Sequence, residues 1–152
     1  QLIDFQMITK MGNPIFDNYT RQDRERFGVR GKYEAEKFYN TMHTTEVVTR
    51  SETDDFTVER LDTGIKTNVP VNAILHSPTG FEFGYGGSGP ADLALNILLA
   101  VTKNLPYSIQ YHQQFKYEFV VPLKGEQGVI KYNDVLEFLK NNPVEQAEII
   151  PN

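Results

Sequence analysis

The stretch HSPTGFEFGYGGSGPADLALNILLAV, residues 76–101, passes from an aromatic segment into a glycine cluster and then directly into an apolar run. Phe81, Phe83 and Tyr85 alternate with Glu82 and Gly84, which is the period of a β-strand. Pro90 suits the first turn of a helix. From Pro90 to about Lys103 apolar side chains surround the axis (Leu93, Leu95, Ile97, Leu98, Leu99, Val101), the mark of a buried helix. Only Asp92, Asn96 and Lys103 interrupt it, along one stripe, and Leu105-Pro106 is expected to end it. A strand, a tight corner and a buried helix in immediate succession predict an α+β fold: a small, mainly antiparallel sheet packed on a central helix over about 90–103, with two further helices.

The flanking sequence fills in that plan. FTVERLD, from Phe56, alternates apolar and polar as a half-buried strand does. Thr63-Gly64 reads as a turn and VPVNAIL, residues 69–75, as a second short strand that Pro70 confines to an edge or to a strand start. Thr44 to Asp55, rich in Ser, Thr and acids, reads either as a linker or as a short edge strand around Val47-Val48 followed by a turn. Beyond the central helix, Tyr107, Tyr111, Phe115 and Phe119 recur every fourth residue, so a second helix carries an aromatic stripe, read as core packing. GVIKY predicts a strand, and NDVLEFLKNNP a last helix with Asn133 as N-cap and Pro143 as stop. The organisation expected is an N-terminal extension and linker over 1–55 and a compact domain over 56–152.

Composition narrows the function classes. The chain has 152 residues, 39% of them apolar and 23% charged, as in an ordinary globular domain. Its net charge of −5 argues against nucleic-acid binding, which usually brings a basic excess. Without cysteine there is no disulfide, thiolate nucleophile or zinc-thiolate site. His43, His76 and His112 show no metal-ligating spacing, so neither metal nor cofactor is expected. No apolar run reaches the roughly 18 residues of a membrane span. The first residues lack the basic and apolar regions of a signal peptide, and the expected location is a bacterial host cytoplasm or a virion.

The glycine corner holds the chemistry. Gly84, Gly86 and Gly89 form a G-x-G-x-x-G between a predicted strand and a helix. Inward-turned amides and a helix N-terminus favour an anion there. Candidate ligand-binding residues are therefore His76, Tyr85, Gly86, Gly87, Ser88 and Gly89, with Tyr85 offering a ring for a base and Ser88 a hydroxyl. Against a dinucleotide stand the missing βαβ unit and the lack of an acidic residue about 20 positions on. Asp92, taken as the third helical residue, would cap the helix and repel phosphate. A second reading makes the glycines pure architecture. A third uses Ser88 with His76 or Asp92 for catalysis, although Pro90 spoils a G-x-S-x-G elbow. No credible catalytic set emerges, so binding is expected over enzymatic turnover.

The same residues resemble an uncharacterised family of small domains with a signature close to HSPTGFxWGYGGSGPAxLALAIL, followed by a helix containing Phe-Lys. YHQQFKYEFVVPL and GVIKYNDVLEFL continue the likeness, which covers roughly Phe56 to Pro143. Phe83 stands where that family often has Trp, and Asn96 where it often has Ala. The resemblance implies a compact α+β domain from a bacterium, phage or mobile element, and it brings no activity. With the added N-terminal region it points to a non-enzymatic interaction protein, a virion component or an inhibitor of a host system. Its partner, the same chain or another, would be met by an arm carrying Arg24, Arg26, Arg30 and Lys32. The alternative is a module for a small phosphorylated ligand, a nucleotide or nucleotide-derived signal, at the GYGGSG corner.

Overall fold

The computed structural model describes residues 45–76 and 80–143. The elements are β1 (Thr45–Val47), β2 (Phe56–Leu61), β3 (Gly64–Thr67), α1 (Ser88–Thr102), α2 (Leu105–Phe115), a π-helical turn (Lys116–Val120), β4 (Gln127–Ile130) and α3 (Tyr132–Asn141). The fold is α+β. The sheet order is β1-β3-β2-β4, with β1 parallel to β3 and the other two pairings antiparallel. β1 lies before residue 55 and is nonetheless part of the sheet. Arg24, Arg26, Arg30 and Lys32 lie outside the described residues.

Alternation in FTVERL does what the pattern predicts. Phe56 and Val58 are buried, and Ile65 and Thr67 join them from β3. The connection closes at Gly64, whose φ of 141° is open to glycine and strained for other residues. Above this face lies α1, in which every residue from Gly89 to Leu99 is buried. Its apolar circumference packs on the sheet on one side and on α2 on the other. The aromatic stripe is core: Phe115 stacks at a tilt on Phe119, centroids 4.8 Å apart, and meets the edge of Phe138 from α3 at 5.1 Å.

Four local expectations are corrected. VPVNAIL forms no strand, apart from an isolated bridge at Ile74, because helix side chains take up its backbone. Asn96 Oδ1 accepts from the amides of Asn72 (2.7 Å) and Ala73 (3.0 Å), while Asn96 Nδ2 donates to the Ala73 carbonyl at 2.9 Å. GFEFGY is irregular too: Phe81 and Phe83 are buried as the alternation required, but Tyr85 turns out to solvent. Leu105-Pro106 opens α2 instead of closing α1, which ends at Lys103 in a left-handed conformation, φ 56°. The last helix starts before Asn133, with Lys131 at its N-cap and no side-chain cap.

Candidate functional site

α1 begins at Ser88, with Gly87 as N-cap and no capping side chain. That start is two residues earlier than Pro90 implied, so Asp92 sits too far into the helix to cap it. Its carboxylate is fully buried and faces the loop before the corner. It accepts from the amide of Leu75 at 3.1 Å and from that of His76 at 3.0 and 3.1 Å. The corner thus keeps its opening amides: those of Gly86 and Gly87 make no hydrogen bond among the described residues, and those of Ser88 and Gly89 begin the helix.

The glycines divide by role. Gly84 has φ 91°, and its amide donates to the Val120 carbonyl at 3.1 Å, tying the corner to the end of the π turn. At Gly89 a Cβ would lie 2.9 Å from Glu82 Cβ and 3.0 Å from its backbone nitrogen, so close approach of two backbones requires glycine. Gly86 and Gly87 instead border side chains. A Cβ on Gly86 would meet Tyr117 Cε1 at 3.3 Å, and one on Gly87 would run into the ring of Tyr85. Both tyrosines are more than half exposed, at 51% for Tyr85 and 61% for Tyr117.

Two histidines distant in sequence meet, His76 held through its backbone amide by Asp92 of α1 and His112 on α2. His76 Nε2 and His112 Nε2 are 2.9 Å apart, with ring planes inclined by 26°. His112 is buried, and its Nδ1 lies 2.6 Å from the Ile109 carbonyl. Desolvation, only partly opposed by that hydrogen bond, pushes the His112 pKa down to about 4. His76 is lowered as well, by burial first and then by the positive charge of Lys116. The side chain of Gln113 touches His76 Nε2 at 3.5 Å.

Lys116, with Lys103 and Lys124, is one of the basic residues nearest in sequence that an anion at the corner could draw on. It stands at the first position of the π turn, where the Val121 amide reaches back five residues to the Lys116 carbonyl. Only 5% of Lys116 is exposed. Its ammonium rests over the Tyr117 ring, 4.3 Å from the centroid, and makes no hydrogen bond or ion pair among the described residues. Burying an ammonium without an anion is costly. Glu82 is not the missing partner. It pairs with Arg60 at 3.0 Å, and Arg60 also donates to the Phe83 carbonyl and lies over the Phe83 ring. The Glu82 hydrogen bond is the main cause that raises the Arg60 pKa.

Of the predicted site residues, Gly86 comes against Tyr117, which adjoins Lys116, while Tyr85, Gly87 and Ser88 follow in the same corner and His76 is drawn toward His112. Gly89 serves packing beneath it. Ser88 is exposed and makes no hydrogen bond with His76 or Asp92, so the structure assembles no Ser-His-Asp arrangement. Among the described residues no group of three or more metal-ligating side chains occurs, and no helix is long and apolar enough to cross a membrane.

An α+β domain with a buried helix, a glycine corner and a buried lysine next to the tyrosine that borders it is thus the class of protein. Residues 33–141 match the family of unknown function DUF6166, and the chain belongs to that family. No curated protein and no solved structure matches it.

Proposed function

We propose that the domain binds a small phosphorylated ligand, a nucleotide or nucleotide-derived signal, at the corner formed by Tyr85, Gly86, Gly87 and Ser88. The observation that carries this reading is Lys116, a buried ammonium with only an aromatic ring against it. An anion there gains a cation in a desolvated setting, the open amides of the corner and the positive end of α1. Tyr85 and Tyr117 offer exposed rings at the rim for a base.

The test is a thermal-shift and calorimetric series with inorganic phosphate and adenosine monophosphate. A ligand at 100 times its Kd stabilises the fold by about 2.7 kcal/mol. Lys116→Met has two opposite consequences: the free protein becomes more stable, because a buried unpaired charge is gone, and ligand stabilisation disappears. If Lys116→Met destabilises the free protein, or if neither compound moves the melting temperature, the reading fails.

A partner protein is the second reading, with a phage or mobile-element origin and a virion or inhibitory role attached to it. The observation in its favour is the outer edge of β4, which ends the sheet beside Val129, 55% exposed. Sedimentation of the chain with and without residues 1–44 tests it. A monomer in both forms, with no partner recovered by pull-down, counts against it.

A further inference from the structure

The Lys116 ammonium and the glycine corner share one aromatic ring. Lys116 Nζ lies 4.3 Å from the centroid of Tyr117, and a Cβ on Gly86 would stand 3.3 Å from Tyr117 Cε1. Among the described residues no second desolvated cation joins it there. Arg60 is committed to Glu82 at 3.0 Å and to Glu126 at 3.4 Å. Lys103 closes the far end of α1, where its Nζ donates to the Ala100 carbonyl at 2.9 Å. Lys124 and Glu118 are both exposed, so water and salt screen their opposite charges. The one charged side chain within α1 is the buried Asp92 carboxylate, which has the sign an anion avoids. The amides of Gly86 and Gly87 add dipoles and no net charge.

We propose that the corner takes a singly charged phosphodiester of a nucleoside in preference to a phosphomonoester. This proposal rests on the anion-binding reading above and specifies the charge of the ligand. Drawing an ion out of water costs free energy in proportion to the square of its charge, whereas its attraction to a single ammonium grows only linearly. A dianion therefore meets about four times the dehydration cost of a monoanion for about twice the attraction. A monoester is mostly dianionic at pH 7.5, because its second pKa is about 6, and a diester keeps one charge throughout this range. The two free oxygens of a diester also answer the two kinds of donor present, the Lys116 ammonium and the amides of Gly86 and Gly87.

Calorimetry on the wild-type chain with adenosine monophosphate and its methyl phosphodiester, at pH 7.5 and at pH 5.5, tests the proposal. The two compounds carry the same base and sugar and differ by one methyl group and one ionisation. At pH 7.5 the diester is expected to bind at least about tenfold tighter. At pH 5.5 most of the monoester has taken up its second proton, and the ratio is expected to fall to within about twofold of one. Because the ratio is compared, any titration of the protein itself, His76 and His112 included, acts on both compounds alike. A ratio well below tenfold at pH 7.5, or a monoester that binds tighter, overturns the proposal and leaves the anion-binding reading standing. A ratio that stays the same at both pH values also overturns it, since the methyl group and not the charge is then what the site detects. Binding of neither compound at either pH overturns both.

Discussion

Asp92 offers the sharpest test of how the corner is held. Its carboxylate is fully buried one turn and a half into α1 and takes the amides of Leu75 and His76. Replacing it by alanine leaves two backbone N–H groups without their acceptor. A hydrogen bond to a charged group contributes about 1.5–3 kcal/mol, so two give an expected loss of about 3–6 kcal/mol. Against a total stability of about 5–15 kcal/mol that is a large fraction. Asp92→Asn keeps the shape and one acceptor oxygen but turns an NH₂ group toward the amides, and about half the loss is expected. Urea denaturation followed by circular dichroism reads the midpoint at constant slope. The histidine pair should suffer as well, because the backbone of His76 is what Asp92 fixes. An Asp92→Ala chain that loses less than about 1 kcal/mol would refute the claim that this carboxylate builds the corner.

Three further outcomes follow from particular residues. Lys103 holds a left-handed φ of 56°, so Lys103→Gly should stabilise the chain by about 0.5–1 kcal/mol, seen as a rise of several degrees in melting temperature. Leu98 is fully buried at the centre of the main core, and Leu98→Asp should leave no cooperative thermal transition. The folded-state pKa of His112, about 4, lies below its ordinary 6.5. The unfolded chain therefore binds more protons between these values, and stability falls as pH drops from 6.5 toward 4, by about 2–3 kcal/mol from this residue. Urea midpoints against pH for the wild type and His112→Phe isolate the effect, whose absence from the difference would contradict the buried neutral imidazole.

What the sequence made legible was what period and burial encode. The alternation in FTVERL and the all-round apolarity of LALNILLAV placed the sheet and its helix, and the four-residue aromatic spacing placed Phe115 in the core. The strand expected over VPVNAIL failed for a reason that pattern cannot carry. A strand needs a neighbouring backbone, and residues 72–76 find side chains of α1 instead, Asn96 and Asp92. The same two polar residues, read along the helix as interruptions, are its means of anchoring a loop. The π turn was illegible because one extra residue per turn leaves no mark in a stripe that Phe115 and Phe119 continue across it. His112 looked like one more polar residue on α2, and only the fold brings it to His76.

The G-x-G-x-x-G spacing therefore has two explanations at once, divided among its residues. Gly84 and Gly89 answer to backbone geometry, one to a positive φ and the other to contact with Glu82, and either would be glycine in a protein with no ligand at all. Lys116, outside the motif, is the residue that favours a site. Lys116 is buried with only the Tyr117 ring against its ammonium, and a cation–π contact of about 0.5–2 kcal/mol does not replace the hydration that a buried charge gives up. That desolvated charge is costly in the free protein, and the arrival of an anion would offset the cost. If Lys116→Met leaves phosphate binding unchanged, the corner holds no anion through that ammonium, and it is a loop-to-helix bend and nothing more.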